Sequence, residues 1–141
     1  MRTALRPAVT ALWMTALVAA AANLVVLLGA LAAAGEPIVV EQQGTSMEVG
    51  FAAVIAASVV GAVLAAVGAL VLTGLWPRRG LALFIGAGTV LTLLSLFGTL
   101  GATTALSVAA LMVMHLVTGT VVVIGNAVIH SRRKARAPQL A

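Results

Sequence analysis

The chain has 141 residues, of which 62% are hydrophobic and only 8% charged. A typical soluble domain carries roughly 25% charged residues, so water cannot solvate this surface and the bilayer must be its solvent. Cysteine is absent, which excludes disulfides, thiolate chemistry and Cys-based metal sites. The net charge of +5 does not point to nucleic acid, because the basic residues sit in short clusters beside apolar runs, as membrane topology requires.

Arg2 and Arg6 precede an apolar run over about 8–34. At ~1.5 Å per residue this run exceeds the ~30 Å hydrocarbon core and can span it with some tilt. A cleaved signal peptide is the rival reading, with Ala32, Ala33 and Ala34 as the small-residue cleavage site. The run is, however, much longer than the ~7–15 residues of a signal core. A polar interval from Gly35 to Gly44 follows, interrupted by Pro37, with Ile38, Val39 and Val40 as a short extended piece or an interfacial dip. Thr45-Ser46-Met47-Glu48 matches a capping box, so Thr45 and Glu48 are read as a helix cap, or else as residues at the outer mouth of the bundle.

The second span is placed at about 48–75. Ala53, Ala57, Gly61, Ala65 and Ala69 recur every four residues along it, a small-residue ridge suited to close packing inside the monomer or, less simply, to a dimer face. Trp76-Pro77-Arg78-Arg79-Gly80 ends it with an interfacial aromatic, a breaker and two charges. The third span, about 81–100, is hydroxyl-rich, with Thr89, Thr92, Ser95 and Thr99. The fourth, about 104–130, follows a tight uncharged turn and leads to a basic tail over 131–141, expected to be disordered beyond the helix end.

All eight Lys and Arg residues lie at the N-terminus, in the second loop or in the tail, and all three Glu residues lie in or at the edge of the first loop. Four spans put every basic region on one side. The positive-inside rule then predicts cytoplasmic termini, an acidic outer loop and a multi-pass protein of the inner or plasma membrane. The expected architecture is an all-α transmembrane four-helix bundle forming one membrane domain over 1–141.

On the fourth span Thr104, Ser107, Leu111, His115, Thr118, Val122 and Asn126 are three or four apart and share one face. An imidazole in the middle of a lipid-spanning helix needs a partner or a purpose. Counted from the cytoplasmic ends, Asn23, Ser95 and His115 lie at a common depth of roughly 21–23 Å, with Thr92 and Thr118 below and Ser58 above. This layer is the candidate polar pocket: His115, Asn23, Ser95, Thr118 and Thr92. Its plainest explanation is a neutral histidine whose hydrogen bonds fix helix register, at roughly 0.6 kcal/mol per polar contact. The alternative is a small-molecule or lipid site. Haem or metal ligation has little support, since no second inward His exists and His130 sits ~22 Å away. Met112 shares the His115 face and Met114 does not. No Asp or Glu lies deep in a span, as a proton-coupled exporter would require, and no nucleophile, base and acid come together. No catalytic residue, metal site or cofactor is assigned.

Three stretches together resemble a family of small bacterial four-span membrane proteins catalogued as a domain of unknown function. They are Gly44-Thr45-Ser46-Met47-Glu48-Val49-Gly50, then Leu93-Leu94-Ser95-Leu96 with Gly101-Ala102-Thr103-Thr104, and Leu111-Met112-Val113-Met114-His115-Leu116-Val117. The likeness runs from about Val39 to Val123 and implies a four-helix membrane fold with no established activity. The reading put first is therefore a structural or helix-interaction protein. A binding or transport protein built around His115 stands second. The bilayer is the expected partner, with a second copy or another membrane protein beside it, and no nucleic acid.

Overall fold

The computed structural model describes residues 2–136, with side chains described from Leu12 to Ser131. Four helices dominate: α1 (Arg2–Ala34), α2 (Phe51–Leu75), α3 (Gly80–Ser95, extended by a 3-10 segment, Leu96–Gly101) and α4 (Ala105–Arg136). Each contains a stretch long and apolar enough to cross a membrane: Leu12–Ala34, Phe51–Leu75, Gly80–Gly101 and Ala105–Ser131. The fold is an all-α, four-helix membrane bundle. α4 continues past the expected end at His130, so residues 132–136 of the basic tail are helical; cations suit the negative end of the helix dipole. The disorder expected of the final residues falls outside the described part of the chain.

The bundle is built from small residues inside and large ones outside. Ala16, Ala19, Ala62 and Ala69 are among the most buried residues, whereas Leu17, Val25, Leu64, Leu91 and Phe97 are exposed. In lipid there is no hydrophobic drive between helices, and close approach through small side chains replaces it. α1 packs along α4 and α2, α3 packs along α4 and α2, and α2 touches α4 across the diagonal. α1 and α3 thus lie on opposite flanks. A methyl at Gly125 would overlap Thr15 of α1, and one at Gly119 would overlap Thr92 of α3, so glycines on α4 set both flanking contacts.

In the first loop Val39 and Val40 are extended, as one of the two expected readings has it, but the strand they belong to is paired, which neither reading includes. The loop folds as an antiparallel hairpin of β1 (Val39–Gln42) and β2 (Thr45–Glu48), in register Val40↔Met47 and Gln42↔Thr45. The two turn residues, Gln43 and Gly44, have φ of 51° and 78°. Positive φ at both centres gives the turn whose twist matches that of the paired strands. Thr45 and Glu48 are therefore exposed strand residues, and the capping box does not form. α2 starts three residues later than Glu48, at Phe51, behind an extended Gly50 that makes no side-chain cap. A side-chain cap occurs instead at α4, where the Ser107 amide donates to Thr104 Oγ1 at 3.2 Å. The hairpin closes the end of the bundle: Ile38 and Val40 are buried with Leu27, Val54, Leu111 and Met114. Val39 O also accepts from the Thr103 amide at 3.1 Å, which ties the first loop to the third.

Candidate functional site

The small-residue ridge of α2 does not pack as expected. The buried line on this helix is Val54, Ser58, Ala62 and Ala69, whereas Ala53 and Ala57 are exposed and Gly61 and Ala65 are half-buried. Ridge and buried line differ by one position, about 100° of helix rotation. Only Ala69 belongs to both, and the rest of the ridge faces a cavity. That cavity, of about 630 Å³, is bounded by α2, α3 and α4, with Asn23 reaching in from α1 and Val49 at the hairpin end.

The cavity is a slot. Its wall on α2 runs from Ala53 to Leu72, 19 positions at ~1.5 Å, so it is about 28 Å long, close to the thickness of a hydrocarbon core. Leu64 on α2 and Leu91 on α3 line it and are themselves 67% and 65% exposed. The slot therefore opens sideways between α2 and α3, onto lipid. Most of its lining is apolar, and among the described residues no charged one contributes.

All five residues of the candidate pocket, Asn23, Thr92, Ser95, His115 and Thr118, line this slot. Their bonding is more specific than a common depth implies. The Asn23 amide donates to Ser58 Oγ at 3.0 Å and to Thr118 Oγ1 at 2.6 Å, joining α1, α2 and α4. Ser58 spends its own proton on Val54 O, so its oxygen can only accept, and this fixes which end of the Asn23 amide faces it. Oδ1 is left buried without a partner, on a residue only 4% exposed. Ser58, which stood at the margin of the predicted layer, is thus one of its bonded members.

The remaining groups bond locally. Thr92 donates to Gly88 O at 2.8 Å and Ser95 to Thr92 O at 2.7 Å. His115 Nδ1 lies 2.8 Å from Leu111 O on its own helix. A carbonyl only accepts, so Nδ1 carries a proton, and in the neutral form of the ring this leaves Nε2 as an acceptor. His115 has no hydrogen bond to another helix among the described residues, so it does not serve as interhelical glue. Met114, not Met112, lines the slot beside it. Thr45 and Glu48 do not line it; Val49 does.

These features define a class: a multi-pass four-helix membrane protein with a lipid-facing slot and a polar cluster within it. The chain belongs to the family of unknown function DUF6069, which it matches over residues 3–132. No curated protein and no solved structure matches it.

Proposed function

We propose that the protein binds a small apolar molecule that enters its slot sideways from the bilayer, as a carrier or sensor within the membrane and not as an enzyme. The observation that carries this reading is a cavity of ligand size whose apolar walls hold a few polar groups, His115 among them: small-molecule sites occupy roughly 300–1,000 Å³ and are built the same way. His115 supports the same reading, because its one hydrogen bond stays within α4 and fixes no helix pair. The structural alternative, in which the α2 ridge receives a partner helix or a second copy, accounts for the exposed small residues but not for the polar groups of Asn23 and His115 along the same slot.

The basic clusters support an orientation with both termini cytoplasmic, in the inner or plasma membrane. The acidic hairpin then faces outward, and the polar cluster sits nearer that side. The test is native mass spectrometry of the full chain released from gentle detergent. Wild type should retain an apolar adduct at 1:1, and Ala57→Phe, which projects a ring into the slot, should lose it. Equal adducts in both proteins would refute slot binding.

A further inference from the structure

The polar atoms along the slot are unevenly committed. The hydroxyl protons of Thr92 and Ser95 are spent on backbone carbonyls, leaving only oxygen lone pairs. In the neutral ring His115 Nε2 is a lone pair as well, since Nδ1 holds the proton toward Leu111 O. Asn23 Oδ1 has no partner either, but it is closed off from the slot, so a ligand meets the other three. Against these stands one donor, the hydroxyl of Thr118, whose oxygen already receives the Asn23 amide. The slot is acceptor-rich and donor-poor, and what completes it must bring a donor.

Two further observations narrow the chemistry. Among the described residues no Lys or Arg lines the slot, so a phosphate or sulfate head would enter without a counter-charge, which is very costly away from water. His115 is also ten positions into α4, ~15 Å from its Ala105 end, too deep for a headgroup that must stay at the interface. The slot is about 28 Å long and opens sideways along its length, so an extended hydrocarbon chain can lie in it.

We infer that the slot takes a neutral lipid whose head donates a hydrogen bond, a long-chain alcohol being the simplest. Its hydroxyl is held on Nε2 of His115, next to Asn23, and its tail lies between α2 and α3 toward Leu72 and Phe84. This rests on the binding reading above and adds the polarity of the ligand to it. The probe is hexadecanol carrying a diazirine in its chain, photolysed with the full-length protein in phosphatidylcholine nanodiscs. The competitors are 1-hexadecanol, its methyl ether and hexadecyl sulfate, which stays charged. The alcohol should compete about tenfold better than the ether, the worth of one hydrogen bond in a dry site, and the sulfate should compete worst. In His115→Phe, which loses no interhelical bond, the alcohol-to-ether ratio should fall to near one while α2 and α3 peptides are still labelled. Equal competition by alcohol and ether in wild type, or hexadecyl sulfate as the best competitor, overturns the inference, and neither result depends on a variant folding. Labelling that Ala57→Phe leaves undiminished instead overturns slot binding itself.

Discussion

Replacing Asn23 with Leu sets two opposing effects against each other. The amide makes two contacts, to Ser58 Oγ and Thr118 Oγ1. Polar contacts within membranes average about 0.6 kcal/mol, so leucine forfeits roughly 1.2 kcal/mol. The same change removes Oδ1, a buried acceptor with no partner, and an unmet group of that kind costs about 1–3 kcal/mol. Neither hydroxyl is stranded: Ser58 still donates to Val54 O, and Thr118 can turn its proton to the carbonyl one helical turn back. Leucine branches at the same atom and is larger, so it opens no void, and the slot that Asn23 lines gives its methyls room. The ligand-free protein should therefore range from unchanged to about 2 kcal/mol more stable.

The assay is reversible unfolding of the delipidated full chain in detergent, followed by helicity, with Asn23→Ala as the comparison. Alanine also removes the orphan but leaves a cavity, and large-to-small changes at buried sites cost about 2–5 kcal/mol. Asn23→Leu should thus stand clearly above Asn23→Ala. A loss of more than about 2 kcal/mol in Asn23→Leu would refute the reasoning, since the amide would then be worth far more as glue than its two contacts account for.

Three further outcomes are expected. Gly119→Ala should destabilise the same unfolding transition by about 1–3 kcal/mol through overlap with Thr92, whereas Gly68→Ala, in open space along the slot, should stabilise it by up to about 1 kcal/mol; shifts of equal sign would refute the assigned α3–α4 contact. Gly44→Val forces a branched residue to a φ of 78° and should cost at least about 1–3 kcal/mol. It should also abolish hydrogen-exchange protection of the Val49 amide, which donates to Ile38 O; retained protection would count against the hairpin turn. A reporter fused after Ala141 should be active in the cytoplasm, and activity on the far side would overturn the charge-based orientation.

The spans were legible in the sequence because the membrane imposes one local requirement, about twenty apolar residues, that each segment meets alone. The hairpin was not, because two local patterns competed for the same residues. Thr45-Ser46-Met47-Glu48 satisfies a capping box, yet it also forms the second arm of a pair of short runs separated by the two-residue turn Gln43-Gly44. What decides between them is tertiary: as a strand, β1 carries Val40 into the core beside Ile38, which a helix start at Glu48 would not allow. The polar residues were legible as a set, since rise per residue gives depth. Depth gives no azimuth, however, so it could not tell that Asn23 bonds Ser58 and Thr118 while His115 bonds only its own helix.

The α2 ridge shows why the slot exists at all. Small residues every four positions mark a face but do not say what stands opposite it. α3 is drawn onto α4 through Gly88, which meets Val123, and Gly119, which meets Thr92. Held there, α3 presents Ala87 and Leu91 to α2 across a gap, and α2 answers with Ala53, Ala57, Gly61 and Ala65. None of these is long enough to close it. Larger residues at Ala53 and Ala57 would fill the gap without disturbing the buried line Val54, Ser58 and Ala62. A helix selected only for packing would gain dispersion contacts from such a change. The ridge forgoes that stability along the same slot that holds Asn23 and the free nitrogen of His115. A cavity and an imidazole without an interhelical bond are separate departures from good packing, and they coincide along one slot, where a ligand would fill the first and meet the second.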